Sequence, residues 1–308
     1  MTNNSGAPCY RLGLYEKSMP GSLGIAQKLA EARKAGFDYL ELSIDETDEK
    51  LGRLEWKEET VALRCGMEKT GVPILSICLS GHRRFPLGDP DPAAARRSLE
   101  IMESAVSLAS RLGARVIQIA GYDVYYKESN EDTRRIFAGN LERSVEMASR
   151  EGVTLAFETM ETPFIDTVEK ALYWIKRFPS PFLQIYPDTG NITNAALLYG
   201  GKADEDLAKG AGHIAALHLK ESKPGIYREV PYGEGHVDFA ALAGSALRLG
   251  TRLFVGEFWY NKDGGDWRTT LRENNKFLRD VLDAAAETLR KERRPPAQIH
   301  KPEQGNTD

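Results

Sequence analysis

Four short apolar runs in the C-terminal half of the chain each carry, near the C-terminal end, a residue type that binds metal ions. TLAFETM carries Glu158, FLQIYPDTGN carries Asp188, HIAALHLKE carries His218 and RLFVGEFWY carries Glu257. Each run has the length and composition of a buried strand. Four parallel strands closed into a barrel would bring those four residues to one point. Carboxylates with a neutral imidazole make a divalent site suited to Mn, Co, Zn or Mg. Packing three carboxylates together without a cation would be costly. Any one of them alone could be a helix cap or a loop salt bridge, and Asp188, followed by Thr-Gly-Asn, could belong to an Asx turn. The set of four is far harder to explain that way.

The rest of the chain repeats the same alternation. Strands are expected over 11–17, 38–44, 74–80, 115–121, 154–160, 182–186, 213–219 and 252–258. Helices are expected over 22–35, 56–70, 93–112, 131–150, 166–178, 238–249 and 269–290. Gly36, Gly71, Gly113 and Gly152 punctuate the early ones. Asp166 is the expected cap of its helix, and Pro179 and Pro181 block its continuation. No helix is delimited in 187–212. Strands alternating with helices imply parallel pairing, and eight units imply an α/β (β/α)8 TIM barrel, as a single domain over 1–290. A doubly wound open sheet is the competing architecture, but no GxGxxG fingerprint follows the first strand. The polar tail 291–308 is expected to be disordered.

A barrel of this kind works at the C-terminal ends of its strands. Glu41, His82 and Gln118 are expected there beside the four candidate ligands. Basic residues of the loops after strands one, three and seven could meet an anionic substrate: Lys17, His82, Arg83, Lys220 and Arg228. Such residues are often only surface charges. Composition narrows the partners. A net charge of −4 and an isoelectric point near 5.9 argue against a nucleic-acid binder. The three cysteines, Cys9, Cys65 and Cys78, show no CxxC spacing and suggest a reduced, cytoplasmic setting. The first residues do not read as a signal peptide, and no apolar run is long enough to span a membrane.

Glu158 and Glu257, on the fifth and eighth strands, would flank a substrate chelated on the metal. That arrangement suits removal of a proton beside a carbonyl and its return from the other face, which yields an epimer. The same parts suit an aldose–ketose isomerase or a hydrolase, and spacing does not choose.

Longer stretches do choose. LGLYEKSMP, LELSIDETDEKLGRLEW, CLSGHRRFPLG, IQIAGYDVYYKE, YPDTGN, HLKESKPGIYREVPYGEGHVDF and the Glu257 strand resemble the L-ribulose-5-phosphate 3-epimerases, also called L-xylulose-5-phosphate 3-epimerases. These belong to the xylose-isomerase-like barrels, together with the ketose 3-epimerases and the endonuclease IV group. The resemblance runs from about Leu12 to about Leu282. It implies one divalent metal held by Glu158, Asp188, His218 and Glu257, with Glu158 and Glu257 as the acid–base pair. It also implies a ketopentose phosphate substrate, epimerised at carbon three through a metal-held enediolate. Asn191 stands where the unphosphorylated ketose 3-epimerases have histidine, which fits the sugar-phosphate branch. The endonucleases need more histidine ligands, whereas Gln118 and Asn191 occupy such positions here and the chain has five His. A non-catalytic sugar-binding protein would not need both acid–base carboxylates. A homodimer without nucleic-acid or membrane partners is expected.

Overall fold

A computed structural model describes residues 9–292. The strands are β1 (Arg11–Tyr15), β2 (Tyr39–Ile44), β3 (Ile74–Leu79), β4 (Val116–Ala120), β5 (Thr154–Glu158), β6 (Leu183–Tyr186), β7 (Leu217–Leu219) and β8 (Leu253–Gly256). The helices are α1 (Ile25–Ala35), α2 (Asp48–Gly52), α3 (Glu58–Thr70), α4 (Pro92–Leu112), α5 (Glu131–Arg150), α6 (Val168–Arg177), α7 (Thr189–Tyr199), α8 (Ala203–Lys209), α9 (Phe239–Arg248) and α10 (Trp267–Glu292). All strand ladders are parallel, in the order β6-β5-β4-β3-β2-β1-β8-β7. Two isolated parallel bridges, Ile185↔Ile214 and Asp188↔His218, join the two ends of that order. The result is the expected TIM barrel, nearly closed, with its seam at the candidate metal ligands.

Alternation along each strand decides what faces where. In β2, Leu40, Leu42 and Ile44 join the large apolar layer between strands and helices, while Tyr39 belongs to a smaller cluster with Tyr15, Cys78 and Tyr186 inside the barrel. In β5, Leu155 and Phe157 face the outer layer and Ala156 the inner cluster. Glu158 shares the parity of Ala156. Asp188 follows Tyr186 by two residues, and Glu257 follows Val255 by two. Gly13 leaves room for the inner layer: a Cβ there would lie 2.4 Å from the Tyr39 ring.

Several boundaries differ from expectation. The stretch 187–212 holds two helices, α7 and α8. The first begins directly after Asp188, whose polar Thr-Gly-Asn continuation reads as a turn in sequence. The seventh strand is shorter than 213–219, because residues ahead of Leu217 make only the Ile185↔Ile214 bridge. Thr167, not Asp166, caps α6, accepting from the Lys170 amide at 3.2 Å. Asp166 instead binds the Lys170 ammonium and the Tyr199 hydroxyl, both at 2.6 Å. Helix α10 runs through Glu292; the remainder of the expected disordered tail lies outside the described residues. No helix among the described residues is long and apolar enough to cross a membrane.

Candidate functional site

The ends of β5 to β8 bring Glu158, Asp188, His218 and Glu257 together. Each offers one ligand-type atom, and these atoms all lie within 4.8 Å of one another. All four residues are buried.

Each side chain is held by local structure. Asp188 is the N-cap of α7, and its Oδ1 accepts from the Asn191 amide at 2.7 Å. The Asx turn suspected from sequence is therefore present as a helix cap. It uses only one oxygen: Asp188 Oδ2 has no hydrogen-bond partner among the described residues. Glu257 Oε2 likewise makes no hydrogen bond among the described residues, although it lies at ion-pairing distance, 2.9 Å, from His218 Nδ1. Nδ1 lies 3.7 Å from Glu158 Oε1 and 3.9 Å from Asp188 Oδ2. The other ring nitrogen, Nε2, is 2.6 Å from Glu41 Oε1. Glu41 is fixed in turn by the hydroxyls of Ser76 and Tyr186, which donate to its Oε2 at 2.7 and 2.9 Å. A carboxylate behind the far nitrogen sets the tautomer and turns the Nδ1 lone pair to the cluster.

Electrostatics agree with geometry. Burial pushes the Asp188 carboxyl up to about 8 and raises Glu158 as well. Burial works against the His218 cation, but Glu41 and Glu257 outweigh it and raise its proton affinity well above the ordinary value. Glu257 resists burial because Lys220 and His218 hold it as an anion, below the usual carboxylate range. The surplus of negative charge thus draws protons into the cluster, and a divalent cation would satisfy the same surplus. Two orphaned carboxylate oxygens, one oriented imidazole and a third carboxylate form a donor set that fits such an ion.

Other residues singled out in sequence go to different places. Lys220 Nζ lies 3.1 Å from Asp188 Oδ1 and donates to Asn191 Oδ1 at 2.8 Å, so it belongs to the cluster's wall. Gln118 is buried with its amide 3.5 Å from His218 Nδ1. Glu41, expected near substrate, has no exposed surface and stands at the opposite ring nitrogen, so its contact is with His218. His82 is not brought to the cleft: it is buried, and its ring Nε2 lies 3.0 Å from the Ser98 carbonyl. Lys17, Arg83 and Arg228 do line the cleft above the cluster, along with Trp259 and Met160. Ser76 and Tyr186, and Tyr15 at the cleft floor, also shape the site, although no sequence motif marks them. Their inward parity on β3, β6 and β1 was the available signal. Glu221, equally unmarked in sequence, accepts from the Ser222, Gly233 and Val237 amides and so shapes the loop after β7.

The xylose isomerase-like TIM barrel family model matches residues 29–281. The L-ribulose-5-phosphate 3-epimerase UlaE of Escherichia coli O1:K1 is 48% identical over 229 residues, covering 74% of this chain and 79% of the relative. The protein of the same name from Shigella boydii serotype 18 matches with the same identity and coverage. Among solved structures, an L-ribulose 3-epimerase superposes with a TM-score of 0.74 at 19% identity, covering 95% of this chain and all of its own. A D-tagatose 3-epimerase-like protein gives a TM-score of 0.75 at 17% identity, over 91% of this chain and 99% of its own. At those identities the structural likenesses speak to the fold.

Proposed function

The chain belongs to the L-ribulose-5-phosphate 3-epimerase family of xylose isomerase-like TIM barrels, and on that premise we propose that it interconverts L-ribulose 5-phosphate and L-xylulose 5-phosphate by metal-dependent proton transfer at carbon three. It is a carbohydrate-acting enzyme of the isomerase class, and a small sugar is its substrate. The observation that carries the finer reading is the pair of orphaned oxygens, Asp188 Oδ2 and Glu257 Oε2, facing a Nδ1 lone pair that Glu41 orients.

Glu158, Asp188, His218 and Glu257 would hold one divalent ion: Mn, Co, Zn or Mg. When bound, that ion supplies a Lewis acid that polarises the ketose carbonyl and acidifies the neighbouring C–H. The protein's own groups do the rest. Glu158 rises from β5 and Glu257 from β8, with β6 and β7 between them, so their carboxylates approach the cleft from different sides. One takes the proton from carbon three, and the other delivers a proton to the opposite face. The roles exchange in the reverse direction. Burial that raises Glu158 suits it to carry a proton, while Lys220 and His218 keep Glu257 ionised. Asp188 and His218 remain positioning groups, and Gln118 and the cleft's basic side chains meet the sugar.

The test is proton NMR in deuterated water with both ketopentose phosphates. Epimerisation with deuterium entering at carbon three is expected. Label at carbon one, with aldose formed, would replace the epimerase by an aldose–ketose isomerase. The same proposal includes a homodimer, testable by light scattering, and a cytoplasmic setting, which the three free thiols support.

A further inference from the structure

Lys220 is a cation in the wall of the carboxylate cluster, and it is only 4% exposed. Lysine is rarely buried so far unless it is paired. Its backbone is locked to the start of α7: its amide donates to Thr189 Oγ1 and its carbonyl accepts from the same hydroxyl, both at 2.9 Å. Its stem passes Gly190, where a Cβ would stand 3.2 Å from Lys220 Cε, closer than ordinary packing. The ammonium reaches two acceptors, Asn191 Oδ1 at 2.8 Å and Asp188 Oδ1 at 3.1 Å. It carries three N–H donors. Glu257 Oε2 is 3.9 Å away, too far for a hydrogen bond. One donor is therefore unspent among the described residues. Lys220 lines the cleft together with Glu158, Asn191 and Glu257, so that donor lies beside the space a substrate would fill.

Charge balance leaves this donor a task. Three carboxylates, one ammonium and a neutral imidazole carry two negative charges, which a divalent ion would cancel. Removing a proton from carbon three adds a further negative charge to a site already balanced and buried. We propose that Lys220 is a catalytic residue: its free N–H donates to the carbonyl oxygen of the ketose and stabilises the negative charge that grows there. In that step the proton passes to one of the two glutamates. The C–H electron pair forms the double bond between carbons two and three, and the carbonyl π pair moves onto oxygen. Lys220 keeps its proton throughout. A donor fixed in advance, here by Asn191 and Asp188, needs no reorganisation when the charge appears. The oxygen on carbon two is common to both epimers, so Lys220 serves both directions alike, whereas each glutamate serves one face. This assignment rests on the epimerase reading above.

The experiment compares wild type with Lys220→Gln, Lys220→Met and, as a control of equal charge change, Lys176→Gln on the exposed side of α6. Three readouts are taken: Mn²⁺ affinity by calorimetry, kcat and KM at saturating metal, and carbon-three exchange of both epimers in deuterated water. Both Lys220 variants should lose about 10²–10³-fold in kcat with KM little changed. Exchange should fall by the same factor in the two epimers. Mn²⁺ should bind at least as tightly as in wild type, because a positive charge beside the ion is gone. Lys176→Gln should match wild type. Weaker Mn²⁺ binding, with kcat restored by excess metal, would make Lys220 a structural counter-ion and overturn the assignment. So would an unchanged kcat, or exchange lost in one epimer only, which marks a proton carrier. If Lys220→Gln does not fold, Lys220→Met decides by the same readouts. A wild type that exchanges no carbon-three hydrogen would overturn the proposed function and this assignment with it. A normal wild type beside an unchanged Lys220→Gln overturns the assignment alone.

Discussion

Glu16 and Asp188 are both carboxylates with no exposed surface, and their surroundings are opposites. Glu16 sits at the end of β1 with every oxygen used. Oε1 accepts from Lys28 at 3.1 Å, Lys50 at 2.6 Å and Arg53 at 2.8 Å, and Oε2 from Arg53 at 2.6 Å and the Ser43 amide at 2.8 Å. Asp188 sits among three other acceptor groups with one oxygen unused. Burial opposes the charge of both. At Glu16, Arg53, Lys28 and Lys50 overcome it and hold the carboxyl well below the usual range. At Asp188, burial wins over Lys220, and the neighbouring carboxylates add to it. A polar knot with its acceptors filled needs nothing more and serves to tie β1, β2 and α1 together. A polar cluster with acceptors to spare is incomplete, and what it lacks is positive charge.

The sharpest way to break this contrast is to remove metal. Chelation should take epimerase activity to background, and Mn, Co, Zn or Mg should restore it to different degrees. The restored ion should also raise the melting temperature, since it binds only the folded cluster. Full activity in a preparation shown metal-free by elemental analysis would erase the distinction between the two sites.

Next come the proposed acid–base groups. Glu158→Gln and Glu257→Gln, reloaded with metal, should lose about 10²–10⁴-fold in kcat. Each should still exchange the carbon-three hydrogen of one epimer in deuterated water without converting it. Metal content must be measured alongside, because both residues also face the cluster. Loss of exchange in both epimers, for both variants, would rule out a two-base mechanism.

Glu16→Gln should behave in the opposite sense. It strands Lys28, Lys50 and Arg53 around a neutral amide, a break of the kind that costs about 3–5 kcal/mol. Denaturant unfolding should register that loss, while kcat well below the melting range changes little. A variant as stable as wild type would show that the knot is dispensable.

Glu41 links the two kinds of site: it is saturated like Glu16 but acts on the cluster through His218. Glu41→Gln should weaken metal affinity about 10–100-fold, with kcat recovering at saturating metal. Failure of excess metal to restore kcat would assign Glu41 a different role.

The smallest effect is in pH. Because folding lowers the Glu16 value, its contribution is fully present above the unfolded carboxylate value, about 4.3, and is lost as pH falls below it. Unfolding free energy should therefore drop more steeply for wild type than for Glu16→Gln between about pH 5 and pH 3. Parallel curves would show that the cations do not stabilise the Glu16 anion.

The amino-acid sequence by itself determined the barrel and the membership of the cluster. Period-two alternation needs no partner to be read, so TLAFE, LQIY and LHL declare which residues turn inward. Glu158, Asp188, His218 and Glu257 follow from their residue types and their positions near the C-terminal ends of apolar runs. The family stretches between Leu12 and Leu282 added the chemistry. Only the tertiary structure decided what each polar group touches. Glu41 and Gln118 share inward parity on neighbouring layers, yet one backs the far nitrogen of His218 and the other lies beside the near one. His82 and Arg83 are adjacent in a single 3-10 turn, Gly81–Arg83, yet His82 turns to the Ser98 carbonyl and Arg83 to the cleft. The seven-residue strand expected at 213–219 shrank to three, because its earlier part meets β6 only through a bridge. Parity is a property of the backbone and is written locally. Pairing, saturation and orphaned atoms depend on residues such as Glu41 and His218, brought together only when the strand order comes round to its seam.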